Sequence, residues 1–354
     1  MKKAIFVFLP LVFSLSVLTS QEIFTSGNFL YKVIGQSITI TEYTGNNAIV
    51  QTPASIGDLP VTAIGDRAFY GCKSLRIVTI PSSVTTIGDW AFSGCTGLMR
   101  INVETRNIAY MSLAGVLFDK SGKTLMFYPA GNTGAYTVPS SVTTIVNSAF
   151  FNCASLTSVN IPSSVTTIGG RTFFGCKSLT SINVEERNNV YMSIVGVLFD
   201  KDGKTLVCYP SGKSGTYTIP SSVITIEDGA FFGCKGLTSV SIPSLVTAIG
   251  NWAFFGCTGL KNVSISSSVT TIGDWAFFDC TSLTSVTIPS SVIAIGNNAF
   301  SGCTNLTNVT IPSSVIVIKD EAFYYCNLTS VTLSRRTIVG KNAFDNGVLI
   351  HYRD

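Results

Sequence analysis

The chain has 354 residues, of which only 12% are charged, and its formal net charge is +4 with a single histidine. Charges of both signs are scattered, and no basic block is interleaved with aromatic residues, which argues against a nucleic-acid partner. His351 is the fourth residue from the end, so catalytic sets that need a positioned imidazole are not expected. Phosphate-binding and dinucleotide-binding motifs are absent, and we predict no enzyme activity, no cofactor and no metal site.

Residues 1–20 have the layout of a cleaved secretory signal. Lys2 and Lys3 precede an apolar run over residues 4–18, which ends at the small residues Thr19 and Ser20. This run is short for a membrane span, and the chain from residue 21 onward has no 18 continuous apolar residues. We therefore expect an exported protein that is secreted or at the cell surface, with the periplasm as an alternative, and no transmembrane segment in the mature chain.

Residues 21–58 lack the repeat that follows and predict an N-terminal β cap. Short strands are expected over residues 29–33, 37–41 and 48–51, with a Gly-Asn turn at 44–47. A stacked array exposes an apolar face and an unpaired edge at its end, which an atypical terminal segment covers.

Residues 59–346 repeat with a period of 23 residues, and residues 347–354 remain as an end strand or tail. Such a period predicts a stacked solenoid. Ten phenylalanines recur at one position of the repeat and are expected to stack as a spine: Phe69, Phe92, Phe150, Phe173, Phe231, Phe254, Phe277, Phe300, Phe323 and Phe344. Cysteines follow three residues after nine of them and are predicted to be buried thiols, with disulfides or a reactive or metal site as alternatives.

Two enlarged coils of 35 residues interrupt the period, between Cys95 and Cys153 and between Cys176 and Cys234. Corresponding positions are 81 residues apart, which indicates a duplicated block. In each enlarged coil, Val-Leu-Phe and Thr-Leu-x-x-Tyr flank a Gly-containing turn at residues 119–122 or 200–203, which predicts a β-hairpin. Residues 200–203 also resemble the start of a calcium loop, but the later ligands are absent and the turn is favoured.

Within one coil, the Leu-x-x-Val-x-Ile spacing of residues 283–288 predicts a short strand whose Val and Ile point into the core. The strand should end at Pro289, because proline has no backbone N–H to donate to a neighbouring strand. The side chains of Val292 and Ile295 are then expected to point into the core, and Gly296 is expected to permit a tight bend.

The motifs Leu-x-x-Val-x-Ile-Pro, Ser-Ser-Val-x-x-Ile-Gly and Ala-Phe-x-x-Cys resemble the BspA-like, treponemal-type leucine-rich-repeat family over roughly residues 59–346. We therefore predict a β-rich leucine-rich-repeat solenoid, a right-handed superhelix of 23-residue coils with two 35-residue hairpin-bearing coils. The resemblance implies a secreted or surface protein that binds host matrix proteins or other cells, and it brings no catalytic residues.

Two surfaces could bind an extracellular protein or glycan. The first is the outward side of the strands on the expected concave face; the alternative is a sheet face that only meets solvent. Its candidate residues are Arg100, Asn102, Ser158, Asn160, Ser181, Asn183, Ser239, Ser241, Asn262, Ser264, Ser285, Thr287, Asn308 and Thr310. The second is an aromatic strip; the alternative is simple ring packing. Its tryptophans are Trp90, Trp252 and Trp275, accompanied by Phe151, Phe174, Phe232, Phe255 and Phe278.

Carboxylates leave one enzymatic alternative, a carbohydrate-active or carbohydrate-binding solenoid that uses acids near the enlarged coils. Glu104, Glu185 and Glu186 adjoin those coils. Asp89, Asp228, Asp274 and Asp320 recur before Ala-Phe and are favoured as turn caps. An ice-binding hydroxyl array is disfavoured because adjacent threonines cannot share one strand face.

Overall fold

The computed structural model describes residues 22–353, so the expected signal segment at 1–20 lies outside the described residues. Residues 22–353 form a β-solenoid of about 14 turns, built from 33 strands and without a helix. The fold is therefore the predicted one. No helix in this part of the chain is long and apolar enough to cross a membrane.

The strands are short, and most coils contribute two of them. The first nine are β1 (Phe24–Ser26), β2 (Phe29–Ile34), β3 (Ser37–Tyr43), β4 (Ile49–Gln51), β5 (Ser55–Ile56), β6 (Leu59–Ile64), β7 (Ile77–Ile80), β8 (Thr86–Ile87) and β9 (Arg100–Val103). The first enlarged coil and the two coils after it contribute β10 (Tyr110–Leu113), β11 (Val116–Asp119), β12 (Thr124–Phe127), β13 (Gly134–Thr137), β14 (Thr144–Ile145), β15 (Leu156–Ile161), β16 (Thr167–Ile168) and β17 (Ser181–Val184).

The second enlarged coil and the coils after it repeat this order. Their strands are β18 (Tyr191–Ile194), β19 (Val197–Asp200), β20 (Thr205–Cys208), β21 (Ser214–Thr218), β22 (Thr225–Ile226), β23 (Gly236–Ser241), β24 (Ala248–Ile249), β25 (Asn262–Ser264) and β26 (Thr271–Ile272). The last seven are β27 (Ser285–Thr287), β28 (Ala294–Ile295), β29 (Asn308–Thr310), β30 (Val317–Ile318), β31 (Ser330–Ser334), β32 (Ile338–Val339) and β33 (Leu349–Arg353).

Successive coils pair in parallel along two ladders. One ladder contains β4, β7 and β9, then β13, β15 and β17, then β21, β23 and β25, then β27 with β29 and β31 with β33. The other contains the two-residue strands and is unbroken from β24 to β32. The first ladder begins inside the N-terminal segment, where β4 pairs with β7, while β1, β2 and β3 form an antiparallel sheet at the end of the solenoid.

The core follows the predicted alternation. In β27, Val286 is buried between the exposed Ser285 and Thr287, and the strand ends before Pro289. Val292 and Ile295 are both fully buried. Because alternate residues of a strand point to opposite sides, the apolar residues of every coil meet inside and the hydroxyl and amide residues face outward.

The spine contains the ten predicted phenylalanines and three tyrosines that sequence reasoning missed. Tyr43, Tyr128 and Tyr209 occupy the phenylalanine position in coils that lack the Ala-Phe motif. The amide of Tyr128 donates to Ala149 O at 2.9 Å, in the same way that the amide of Phe277 donates to Ala299 O at 2.7 Å. Burial raises the pKa of Tyr128 and Tyr209 to about 12, so both phenols stay neutral in the core.

The cysteines are free thiols, as predicted, and those of the repeat bind the coil before them. Cys303 Sγ donates to Phe277 O at 3.2 Å, and Cys280 Sγ donates to Phe254 O at 3.3 Å. Burial, followed by the hydrogen bond with Cys303, raises the pKa of Cys280. Each thiol thus satisfies a buried carbonyl of the neighbouring coil, which is a structural role. Cys208 lies off this row as a packed residue of β20.

The bend expected at Gly296 is present, since the amide of Ala299 donates to Gly296 O at 3.4 Å, but it does not depend on a left-handed glycine. The φ of Gly296 lies outside the left-handed region, and this glycine is required by a close approach, since a Cβ would lie 2.5 Å from Asp274 Oδ1. The left-handed residue is Asn298, with φ of 51°. The same position is left-handed in other coils, where it holds Trp90, Trp252 and Trp275. Sequence alone does not indicate a left-handed tryptophan, because that conformation is disfavoured for bulky residues.

Candidate functional site

The first surface is the strand face, which we define as the outward residues of the first ladder. All fourteen positions predicted for it lie on strands of that ladder, and partners 23 residues apart are in register, as for Ser285 with Asn308 and Thr287 with Thr310. Every one of them is exposed or half-buried. Apart from Arg100, they carry only hydroxyl and amide groups.

The polar groups of the strand face differ along its length. In the middle segment, Asn183 Nδ2 donates to Asn160 Oδ1 at 2.9 Å, and Asn160 Nδ2 donates to Thr137 Oγ1 at 3.0 Å. These amides already bind each other. In the C-terminal segment, by contrast, no side-chain hydrogen bond within residues 22–353 engages the six outward residues: Asn262, Ser264, Ser285, Thr287, Asn308 and Thr310.

A groove crosses this C-terminal segment. The ladder is interrupted between β25 and β27, and a cavity of about 320 Å³ opens there, lined by Asn262, Ser264, Ser285 and Thr287 together with Val263, Ile265 and Pro289. The coil that begins the groove has Ser266 where the next coil has Pro289. The groove brings free hydroxyl and amide groups of two coils together around a small apolar floor.

The two enlarged coils interrupt the strand face, because the first ladder breaks between β9 and β13 and again between β17 and β21. These breaks were not predicted from the sequence. Each enlarged coil forms three antiparallel strands, β10–β12 or β18–β20, rather than the one predicted hairpin. The tip between the first two lies against the preceding coil, where the amide of Ile101 donates to Gly115 O at 2.9 Å and that of Ile182 to Gly196 O at 2.9 Å. The hairpins predicted at β11–β12 and β19–β20 are confirmed.

A buried asparagine joins each enlarged coil to the coil before it. Asn107 Nδ2 donates to Pro81 O at 2.9 Å and Val84 O at 2.7 Å, while its Oδ1 accepts the amides of Ala109 and Tyr110. Asn188 makes the equivalent four bonds in the second enlarged coil. No role was predicted for either asparagine from the sequence, although an asparagine at the same position of both duplicated blocks could have indicated one.

The acids proposed for carbohydrate chemistry have structural partners. Glu104 Oε2 accepts the amide of Ser82 at 2.8 Å, and Glu185 Oε2 accepts that of Ser163 at 2.8 Å. The backbone hydrogen bond from Ser163 lowers the pKa of Glu185. Residues 22–353 contain no group of three or more His, Cys, Asp or Glu side chains arranged to hold a metal ion.

Three of the four recurrent aspartates accept a backbone amide as predicted caps do, but the amide belongs to the next coil; the carboxylate of the fourth, Asp89, accepts no hydrogen bond within residues 22–353. Asp228 Oδ1 accepts the amide of Asn251 at 2.7 Å, and Asp274 Oδ1 accepts that of Asn297 at 2.8 Å. Asp320 does the same for Lys341 at 2.8 Å. Since each acceptor lies one coil away from its donor, these bonds hold the coils in register.

The predicted aromatic strip is half-buried and falls into two groups. Four of its phenylalanines form one row of stacked rings, 4.1, 4.9 and 4.8 Å apart: Phe174, Phe232, Phe255 and Phe278. Trp275 packs on this row, and Arg171 lies over the ring of Trp252 at 4.8 Å. Trp90 stands apart, edge-on to Phe151 at 4.9 Å.

The sequence matches the family model described as BspA type leucine rich repeat region, with six copies over residues 40–114, 123–194, 208–286 and 224–350. The chain belongs to this BspA-type family. No curated protein matches the chain significantly.

Solved structures of leucine-rich-repeat proteins agree with this assignment. A leucine rich cell surface protein from Faecalibacterium prausnitzii A2-165 is 30% identical, with 95% of this chain and 96% of that chain covered and a TM-score of 0.57. A leucine-rich repeat protein from Eubacterium ventriosum is 25% identical, with 91% and 93% covered and a TM-score of 0.61. The pneumococcal vaccine antigen PcpA, at 20% identity, 94% coverage of both chains and a TM-score of 0.59, shares the fold.

Proposed function

We propose that this BspA-type protein is an exported, non-enzymatic interaction scaffold, adhesin-like, that binds a protein or glycan ligand such as a host matrix protein or the surface of another cell. The observation that carries the proposal is the C-terminal segment of the strand face. There six exposed hydroxyl and amide residues without side-chain partners follow one another over three coils, beside a groove of about 320 Å³. The description of the Faecalibacterium relative as a cell surface protein supports the exported location.

A repeated polar surface suits a long ligand. Each coil offers the same two outward positions at the parallel-strand spacing of about 4.8 Å, so an extended chain can make equivalent hydrogen bonds on successive coils. Such contacts are individually weak, and their number supplies the affinity. Because this segment carries almost no charge, we expect the affinity for the ligand to depend little on salt concentration.

We do not favour the carbohydrate-active alternative, because the carboxylates of Glu104 and Glu185 already accept backbone amides of the preceding coil. A catalytic pair would need two carboxylates that flank one bond of the substrate. A non-enzymatic glycan ligand remains within the proposal.

The test is binding of the purified protein to immobilised matrix proteins and glycans. The test variant carries Asn262→Lys, Ser285→Lys and Asn308→Lys, three exposed positions of consecutive coils on the strand face. The matched control carries Thr86→Lys, Thr167→Lys and Thr225→Lys, exposed positions of the second ladder. We expect saturable binding that the control retains and the test variant loses at least tenfold. Equal loss in both variants, or no binding to any surface, would contradict the proposal.

A further inference from the structure

A second candidate site lies away from the strand face, at the first junction, where the first enlarged coil separates Cys95 from Cys153. A cleft of about 360 Å³ opens there between the two ordinary coils. Its inner wall is apolar and includes Phe92, Leu117 and Phe127, and Trp90 and Phe151 stand beside it. The volume lies at the lower end of the range of about 300–1,000 Å³ that is usual for small-ligand sites.

The second junction, although built from the duplicated block, is filled. There the ring of Phe174 stacks on Phe232 at 4.1 Å and covers Gly229, whose Cβ, if present, would lie 2.1 Å from Phe174 Cζ. The equivalent residues of the first junction are Ser93 and Ser148. A small side chain at position 93 therefore leaves open the space that a phenylalanine fills in the other copy.

Two polar groups of the cleft are left without protein partners. Ser93 is 4% exposed, lines the cleft, and its Oγ has no hydrogen-bond partner. At the rim, the carboxylate of Asp89 accepts no hydrogen bond within residues 22–353, because the enlarged coil that follows does not present the amide that Asp228 and Asp274 find. Four buried side-chain hydroxyls within residues 22–353 lack a partner, those of Thr41, Tyr43, Thr52 and Ser93, and Ser93 is the one among them that lines this cleft. Its Oγ is closed to solvent, so a ligand group pairs with it when the Ser93 side chain turns toward the cleft.

The lining selects the shape and polarity of that ligand. Aromatic walls favour a flat ring, which can pack edge-on or offset-stacked on Trp90, Phe127 and Phe151. The exposed residues Asp89, Asn147 and Arg171 make the rim of the cleft polar, whereas Ser93 supplies the one buried hydroxyl of the inner wall. A hexose that reached the inner wall would leave most of its ring hydroxyls unpaired there. The inner wall therefore suits an aromatic ring with one hydroxyl.

We propose that the first junction is a binding site for a phenolic ring, whose hydroxyl binds Ser93 Oγ while the ring packs among Trp90 and the phenylalanines. A tyrosine side chain of a partner polypeptide and a free small phenol both carry this group. They differ at the rim, where a peptide amide can donate to the Asp89 carboxylate, whereas a free phenol whose hydroxyl is bound at Ser93 has no second donor.

The experiment measures binding of p-cresol, N-acetyltyrosinamide and N-acetylphenylalaninamide to the purified protein by calorimetry or ligand-observed NMR. We expect both phenols to bind saturably, with N-acetyltyrosinamide bound roughly 3- to 10-fold more tightly than N-acetylphenylalaninamide, as one hydrogen bond implies. Ser93→Ala should remove that preference and keep the fold. Ser301→Ala, at the same repeat position away from the cleft, should leave it unchanged.

A double variant, Ser93→Phe with Ser148→Gly, introduces the residue pair that fills the second junction, where Phe174 covers Gly229, and should abolish binding of all three probes. Binding that survives this change in a folded variant, equal affinity for the tyrosine and phenylalanine probes, or no binding at all, would overturn the proposal. Asp89→Asn separates the two sources: weaker binding of N-acetyltyrosinamide alone assigns the site to a polypeptide, and unchanged binding assigns it to a free phenol. Neither result depends on whether the strand face binds a ligand.

Discussion

The regular part of the solenoid, residues 246–344, and the interrupted part, residues 59–245, differ in how their spine rings stack. In the regular part the ring planes of successive phenylalanines are within 6° of parallel, as for Phe254 on Phe277 at 5.0 Å. In the interrupted part the angle is 24° between Phe69 and Phe92 and 31° between Tyr128 and Phe150. Tyr128 and Tyr209 stack on the phenylalanines that follow them, but within residues 22–353 no ring pair joins Phe92 to Tyr128 or Phe173 to Tyr209. The row of rings is therefore tilted in the interrupted part and broken at each enlarged coil.

The second ladder is also interrupted at each enlarged coil. There a side-chain hydroxyl accepts the backbone hydrogen bond that the next strand of the ladder would accept. The amide of Ile87 donates to the Tyr110 hydroxyl at 3.0 Å, and the amide of Ile168 donates to the Tyr191 hydroxyl at 3.1 Å. In the regular part the corresponding amides bind the next strand of the ladder. A solenoid can therefore accept a coil of different length when polar side chains take over the backbone partners that the coil removes.

The largest effect is expected in the spine of the regular part. Phe277→Ala removes a fully buried ring that stacks on both Phe254 and Phe300, and should lower the free energy of unfolding by about 3–5 kcal/mol. Phe173→Ala should cost about 1 kcal/mol less, because Phe173 stacks on one ring only, Phe150. Urea denaturation followed by circular dichroism measures both. Equal losses would show that ring stacking does not distinguish the two parts.

The next effect tests how the interrupted part is held together. Asn107→Ala leaves four backbone groups of the first enlarged coil and its neighbour unpaired, and should destabilise the protein by about 2–4 kcal/mol. Hydrogen exchange should become faster in β10 and β11 before it does in the regular part. The control is Asn305→Ala, whose exposed amide makes one bond to Thr281 O, with a change within about 0.5 kcal/mol. A comparable loss for both asparagines would contradict this account.

Thiol reactivity should differ between the N-terminal end of the cysteine row and its interior. The hydrogen bond with Cys95 lowers the pKa of Cys72, which is partly exposed, whereas burial raises the pKa of Cys280. Because the thiolate is the reactive species, iodoacetamide should alkylate Cys72 at least about tenfold faster than Cys280 at pH 8. Peptide mapping by mass spectrometry measures the two rates. Similar rates would mean that the row opens as a whole rather than at its N-terminal end.

The smallest effect concerns acid stability at the second enlarged coil. The hydrogen bond from Ser163 lowers the pKa of Glu185 in the folded state. Its contribution is therefore present above the unfolded pKa of about 4.3 and is lost as the pH falls through the lower folded value. Glu185→Gln should narrow the difference in urea midpoint between pH 6 and pH 3, while Glu186→Gln, at the exposed neighbour, should not. An unchanged difference in Glu185→Gln would show that this cap adds no pH dependence.

The sequence by itself determined the solenoid, the inward and outward residues of each coil, and the phenylalanine spine. These follow from a 23-residue period and a two-residue alternation, both of which are local and repeated many times. Even the hairpins β11–β12 and β19–β20 were predictable, since turn residues and flanking apolar triplets lie within a few positions of each other.

Only the tertiary structure decided what depends on residues one coil or more apart. The backbone bonds of the spine tyrosines, the bonds from Asn107 to Pro81 O and Val84 O, and the coil-to-coil bonds of the aspartates all join groups about 21–26 residues apart. The two junctions differ although they belong to one duplicated block, because the residues that line them have diverged: Ser93 and Ser148 stand where the second junction has Phe174 and Gly229, and Trp90 and Phe127 stand where it has Arg171 and Cys208. Local sequence patterns determine the shape of each coil. The cleft is determined by packing between coils, because its volume depends on which side chains meet across the junction.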